Sequence, residues 1–188
     1  MTYCGHKGVV MTKIMGLDLA SKRSGYSVYF DDELIDYGLF VADEKEVNVH
    51  VRILDMKKQI IKKIKEHDIG YIIAEQVPVN AHSNLKVGKD LCILQGVLLS
   101  VCDDYDVGLE LLSPSQWRSV VGSYNGTRAG MKRDYQKEKA VSIVNDMYGF
   151  DFKYYKTESK ARKSDDDKAE AILLALAYKK ILKENKNE

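Results

Sequence analysis

The sequence predicts an α/β domain in which a mixed sheet is covered by helices. Two observations carry this. Three short strand-like runs joined by tight polar turns open the chain, and helical and strand patterns then alternate to its end. A length of 188 residues suits one domain with one substantial core, and no internal repeat is visible.

Lys13–Ala20 (KIMGLDLA) reads as a buried strand, closed by a polar turn over Ser21–Gly25. Tyr26–Phe30 (YSVYF) is β-branched and aromatic and reads as a second strand. Asp31-Asp32-Glu33 turns the chain into a third, Leu34–Val41, which completes an antiparallel meander. From Val47 to His67, Val49, Ile53, Met56, Ile60, Ile61 and Ile64 recur at helical spacing, with lysines on the other face. Asp68-Ile-Gly70 stops that helix, and Tyr71–Ala74 is a strand running straight into Glu75.

Leu85–Cys102 is apolar on nearly every side, the pattern of a helix covered on two faces by the core and by a partner chain. Val107–Leu112 reads as a fifth strand, and Ser113-Pro114 opens a short helix through Val121. A Gly-rich loop over Gly122–Gly130 leads to a helix from Lys132 to Tyr148, and Lys153–Lys163 reads as polar, basic and mobile. Ser164 resembles the N-cap of the last helix, with Asp167 three residues on as in a capping box. The domain is expected over residues 11–182, with 1–10 as an N-terminal extension and 183–188 as a polar tail.

Composition excludes several classes. No apolar run approaches the ~20 residues of a membrane span, and Met1–Val10 lacks a signal-peptide pattern, so a cytoplasmic protein is expected. Cys4, Cys92 and Cys102 have neither disulfide-framework nor zinc spacing, and the last two read as small buried hydrophobes. The four histidines are scattered and read as structural or surface residues. Net charge is only +1, but Pro114–Lys163 holds 11 Lys+Arg against 5 Asp+Glu. A basic segment on an acidic body fits a phosphate-binding face, and equally a solvated loop and helix.

The informative residues are acids in apolar surroundings. Asp18 lies within a buried strand and Glu75 at the end of another, where a charge needs a partner or a metal. A third group, Asp165-Asp166-Asp167, is followed by Glu170, which shares a helix face with Asp167. Each has a bland reading: a turn residue, an exposed strand end, a helix N-terminus complementing its dipole. Together they place three or four hard oxygen donors at one sheet edge, as Mg²⁺ requires for two-metal phosphodiester hydrolysis.

On these residues the chain resembles the RuvC family of Holliday junction resolvases, within the RNase H-like nucleases, over residues 11–182. The resemblance lies in Asp18 followed by a Ser/Gly turn, in Glu75-Gln76-Val77, in Pro114 with Arg118 and Val120-Val121-Gly122, and in Asp167-Lys-Ala-Glu170 opening an Ala-rich helix. It implies an RNase H-like fold with a five-stranded sheet of three antiparallel meander strands and two parallel ones. It also implies a homodimeric endonuclease nicking branched DNA, with two Mg²⁺ per active site and Mn²⁺ as a substitute. Asp18, Glu75, Asp167 and Glu170 would be the metal ligands, with Asp166 as an alternative in the last group. Arg118, Arg128, Lys132, Arg133 and Lys137 are the expected DNA contacts. The compact size resembles bacteriophage-encoded members.

Four features depart from the family pattern. Glu170 stands where an Asp is common, the Asp triplet leaves the register open, and Pro78 replaces an aromatic residue. The long Ser123–Gly130 loop leaves Lys132, Lys137 and Lys139 all as candidates for the family's supporting lysine. The alternatives are a nuclease acting on RNA or RNA–DNA hybrids, an actin/Hsp70-like ATP-binding protein, and an inactive DNA-binding module. The second lacks an adenosine motif and a second phosphate loop, and a pure phosphate binder has no use for clustered carboxylates.

Overall fold

A computed structural model describes residues 12–43, 45–77, 85–124, 126–128, 130–156 and 163–185, with side chains omitted at 85–87. Five strands, β1 (Lys13–Asp18), β2 (Arg23–Phe30), β3 (Glu33–Val41), β4 (Ile69–Glu75) and β5 (Gly108–Leu112), form one sheet in the order β3-β2-β1-β4-β5. The first three pair antiparallel, and β4 and β5 add in parallel to β1. The expected mixed sheet is thus present. Among the described residues five helices cover it: α1 (Val49–His67), α2 (Leu85–Asp104), α3 (Pro114–Val121), α4 (Arg133–Tyr148) and α5 (Asp166–Asn185).

Alternation along the strands sends side chains to two cores, one on each face of the sheet. Met15, Leu17, Ile72 and Ala74 meet Ile53, Met56 and Ile60 of α1 and Leu94 and Leu98 of α2. On the other face Tyr29 and Ile73 meet Trp117 of α3, Val144 of α4 and the Ile172–Ala175 stretch of α5. A helix between a sheet and two other helices must be apolar all round, which is why Ala169 and Ala171–Ala175 are buried.

Several boundaries differ from the sequence reading, each for a local reason. β1 ends at Asp18 and β2 begins at Arg23, so the turn is residues 19–22; the Ser24 hydroxyl accepts from the Ala20 N–H and donates to the Ala20 carbonyl. Asn48 caps α1 by accepting from the His50 N–H, which places Val47 outside the helix. Asp68, left-handed at φ 54°, ends α1 one residue before β4. Ser164 does not cap α5: its hydroxyl accepts from the Tyr155 N–H, and the helix opens on the Asp165 carbonyl accepting from Ala169. The segment Lys153–Lys163, read as mobile, begins with backbone anchored to the start of α5: the Lys153 N–H donates to Asp165 Oδ2 and the Tyr155 N–H to the Ser164 hydroxyl. Residues 157–162 lie outside the described residues.

The reading of Cys92 as a small buried hydrophobe is corrected, since it lies exposed on α2. Within this chain α2 buries one face, through Leu94, Leu98, Val101 and Cys102, and leaves Cys92 and Leu99 exposed. The Ala-rich α5 lies on the opposite side of the sheet, so it does not extend the α2 surface.

Candidate active site

Adjacent parallel strands deliver the first two carboxylates. Leu17 of β1 stands opposite Ala74 of β4. The next residues, Asp18 and Glu75, therefore leave the sheet side by side at its carboxyl edge. Period-two alternation turns both towards the face that carries α3 and α5. The remaining acids come from the first turn of α5, where Asp166, Asp167 and Glu170 share a side by their spacing of three and four.

Two glycines bring α5 to those strand ends. A β-carbon on Gly16 would stand 2.2 Å from the Ala171 carbonyl oxygen, and one on Gly25 would stand 1.8 Å from that of Asp167. Gly25 is the β2 partner of Asp18, so the helix start rests directly beside the first acid. The Ser27 hydroxyl donates to the Ala171 carbonyl at 2.8 Å and holds the helix in that seat.

Three cations stand among these acids. The Arg118 guanidinium of α3 bridges Glu75 Oε2 at 3.1 Å and Glu170 Oε1 at 2.9 Å. Lys137 of α4 pairs with Asp166 and lies 3.5 Å from both Asp167 Oδ1 and Glu170 Oε2. Arg23 Nε is 3.1 Å from Asp167 Oδ2, and its Nη2 donates to the Ser164 carbonyl. Trp117, fully buried beneath Arg118, donates its indole N–H to Glu75 Oε2 at 2.7 Å.

The compensation is incomplete. Burial, followed by the charges of Glu170 and Asp167, holds the Asp18 carboxyl well above the usual carboxylate range, and Lys137 offsets only part of this. Burial also raises Glu75 against the opposing Arg118 and Trp117. Asp167 is pushed up to about 6 by burial and by Asp166, despite Lys137 and Arg23. Burial would lower the Lys137 ammonium, but the charges of Glu170 and Asp166 raise it. Among the described residues, five carboxylates gather around three cations, and the raised Asp18 and Asp167 carboxyls reflect that crowding as well as burial. A gathering of hard oxygen donors of this kind fits a divalent cation.

The expected ligands Asp18, Glu75, Asp167 and Glu170 thus lie together, and Asp166 joins them. Of the expected phosphate contacts, Arg118 and Lys137 ion-pair with the carboxylates, partners that their half-buried charged heads require. Arg128, Lys132 and Arg133 are exposed along the entry to α4. Of the three candidate lysines, Lys137 is the one placed among the acids. Sequence reading missed Arg23 and Trp117; the only signal was their position beside Ser24-Gly25 and Arg118. Pro78 falls outside the described residues.

A second acidic group was not anticipated. Among the described residues, only Asp36, Glu66 and His67 have ligand atoms all within 4.8 Å of one another. Around Asp18 that spacing is not met, with Lys137 and Arg118 ion-paired to the acids. The Asp36 group already holds its own cation: Lys63 Nζ lies 2.9 Å from Asp36 and 3.2 Å from Glu66. Burial opposes ionisation of Asp36, yet Lys63 and His67 bring its carboxyl below the usual range. Its charge is already answered.

No family model and no curated protein matches the chain. Solved structures do. Thermus thermophilus RuvC in complex with a Holliday junction substrate superposes with a TM-score of 0.65 at 12% identity, covering 92% of this chain and 96% of that one. The fowlpox virus resolvase with its substrate Holliday junction DNA gives 0.56 at 14% identity, over 90% and 98% of the two chains. The yeast mitochondrial Holliday junction resolvase gives 0.56 at 17% identity, over 94% and 83%. These likenesses show the fold alone: an α/β domain with a mixed five-stranded sheet, shared with those structures. They lend no support to a bacteriophage origin.

Proposed function

We propose that this chain is a metal-dependent endonuclease that nicks branched DNA, Holliday junctions above all and forks and flaps with them. The observation that carries the reading is the meeting of Asp18, Glu75, Asp166, Asp167 and Glu170 at one sheet edge, close enough to raise one another's carboxyls. Bound there, Mg²⁺ or Mn²⁺ would supply Lewis acidity toward the phosphodiester and a water ionised near neutral pH. Asp18, Glu75, Asp167 and Glu170 are the proposed ligands, with Asp166 held by Lys137 as the alternative to Asp167. Arg118 and Lys137 hold the carboxylates at their stations, and Arg128, Lys132 and Arg133 receive backbone phosphates, which position DNA without reading its bases. The proposed nuclease domain spans residues 11–182, with α5 continuing to Asn185.

We further propose a homodimer joined through the exposed side of α2, where Leu99 is half-exposed and Gly96 has open space before it. No helix among the described residues is long and apolar enough to cross a membrane, and the proposed setting is the cytoplasm.

The decisive experiment compares cleavage of a four-way junction, a fork, a linear duplex and an RNA–DNA hybrid, with Mg²⁺ and with chelator. Mg²⁺-dependent nicking of branched DNA is expected. Cleavage confined to the hybrid would replace branched DNA as the substrate, and cleavage in chelator would remove the metal. Sedimentation showing a monomer at micromolar concentration, with and without junction DNA, would overturn the dimer.

A further inference from the structure

Trp117 is the chain's single tryptophan and is fully buried. A buried indole N–H must find an acceptor, and here it finds a carboxylate rather than a backbone carbonyl. The same oxygen, Glu75 Oε2, also receives the Arg118 guanidinium, which packs over the indole ring at 4.4 Å. Both described partners of Glu75 therefore converge on one oxygen, and none of the described hydrogen bonds or ion pairs engages Oε1.

We infer that Trp117 is a positioning residue for Glu75: its N–H and Arg118 hold Oε2, which orients the carboxylate and reserves Oε1 for a divalent cation. The role rests on the metal-dependent nuclease reading above. Its physical basis is rigidity. An indole locked between α3, β4 and α5 cannot follow a wandering side chain, so a short bond to it pins Glu75 in one rotamer. Arg118 alone would hold Glu75 less firmly, because it also answers to Glu170. Partners that orient a ligand in this way typically govern ten- to a hundredfold in metal affinity.

The test is Mn²⁺ binding by the full chain, followed by the electron paramagnetic resonance signal of the free ion, alongside thermal melting. Three proteins are compared: wild type, Trp117→Phe and Val144→Ala. Phenylalanine keeps an aromatic filler and removes the N–H. Val144 is buried in the same core on α4, so its truncation reports loss of packing alone. The expected result is Mn²⁺ affinity at least about tenfold weaker in Trp117→Phe and unchanged in Val144→Ala, although both melt earlier. Equal weakening in the two variants, or none in Trp117→Phe, would overturn the positioning role and leave the nuclease reading standing. Absence of Mn²⁺ binding by the wild type, with and without junction DNA, would overturn the metal-dependent reading itself.

Discussion

Gly25 and Asp167 meet backbone to backbone: a β-carbon on the glycine would lie 1.8 Å from the carbonyl oxygen of the acid. The distance between the first strand pair and the last helix is therefore set where two candidate ligands, Asp18 and Asp167, must converge. Gly25→Ala should push α5 off the sheet and cost about 1–3 kcal/mol. For a chain of this size that is a fall in Tm of roughly 2–12 °C. Cleavage should fall further than stability does. A Gly25→Ala protein with wild-type melting and cutting would show that α5 has no need of this contact.

Asp18→Asn should abolish cleavage while leaving junction binding nearly intact. It should also stabilise the metal-free protein, because it removes a buried carboxylate raised by Glu170 and Asp167. Melting curves in chelator provide this second readout. A loss of both cutting and stability would mean that Asp18 is a structural partner rather than a member of the cluster.

Within the Asp triplet the geometry separates roles. Asp165 pairs with Lys168 and accepts from the Lys153 N–H, away from the cluster. Asp167→Asn and Glu170→Gln should each damage cleavage far more than Asp165→Asn, whose effect should be a modest loss of stability. Asp166→Asn should fall between them, since it frees Lys137. Comparable loss of cutting at Asp165 would contradict this ranking.

The raised carboxyls predict a pH dependence with a definite sign. Asp167 titrates at about 6 in the folded chain against 3.8 as its ordinary value, so between those values the folded state holds the extra proton. Stability from this group is therefore greatest at low pH and is lost as pH rises through about 4 to 6, on the order of 2–3 kcal/mol. Metal-free protein should show this loss, and Asp167→Asn should flatten it. A divalent ion should restore stability above pH 6, and cleavage should fall as the pH drops below 6. Melting curves across pH, with chelator and with Mg²⁺, will show whether the slope reverses.

The basic residues should divide by placement. Neutralising Arg128, Lys132 or Arg133 should weaken DNA binding alike across sequences and reduce the salt slope by about one per lost contact. Neutralising Arg118 or Lys137 should instead disturb the carboxylates, lowering cleavage with little change in the salt slope. A changed slope at Lys137 would return it to the phosphate-contacting set.

The sheet, its mixed pairing and the order of elements were legible in the sequence because they rest on local periodicity. Strand alternation, helical spacing in Val49–Ile64 and the cap at Ser113-Pro114 each need only neighbouring residues. Asp18 and Glu75 stood out for the same reason, as acids inside apolar runs. Partnership between charges was not legible. Arg118 and Glu170 are 52 positions apart and Lys137 and Asp166 are 29 apart, so only the packing of α3 and α4 against α5 made these pairs. The same packing moved Ser164 from a helix cap to a partner of Tyr155, and it put Trp117 against Glu75. Burial pattern is a property of sequence order; pairing of charges is a property of distance in space, and the close seat of α5 on Gly16 and Gly25 decided it.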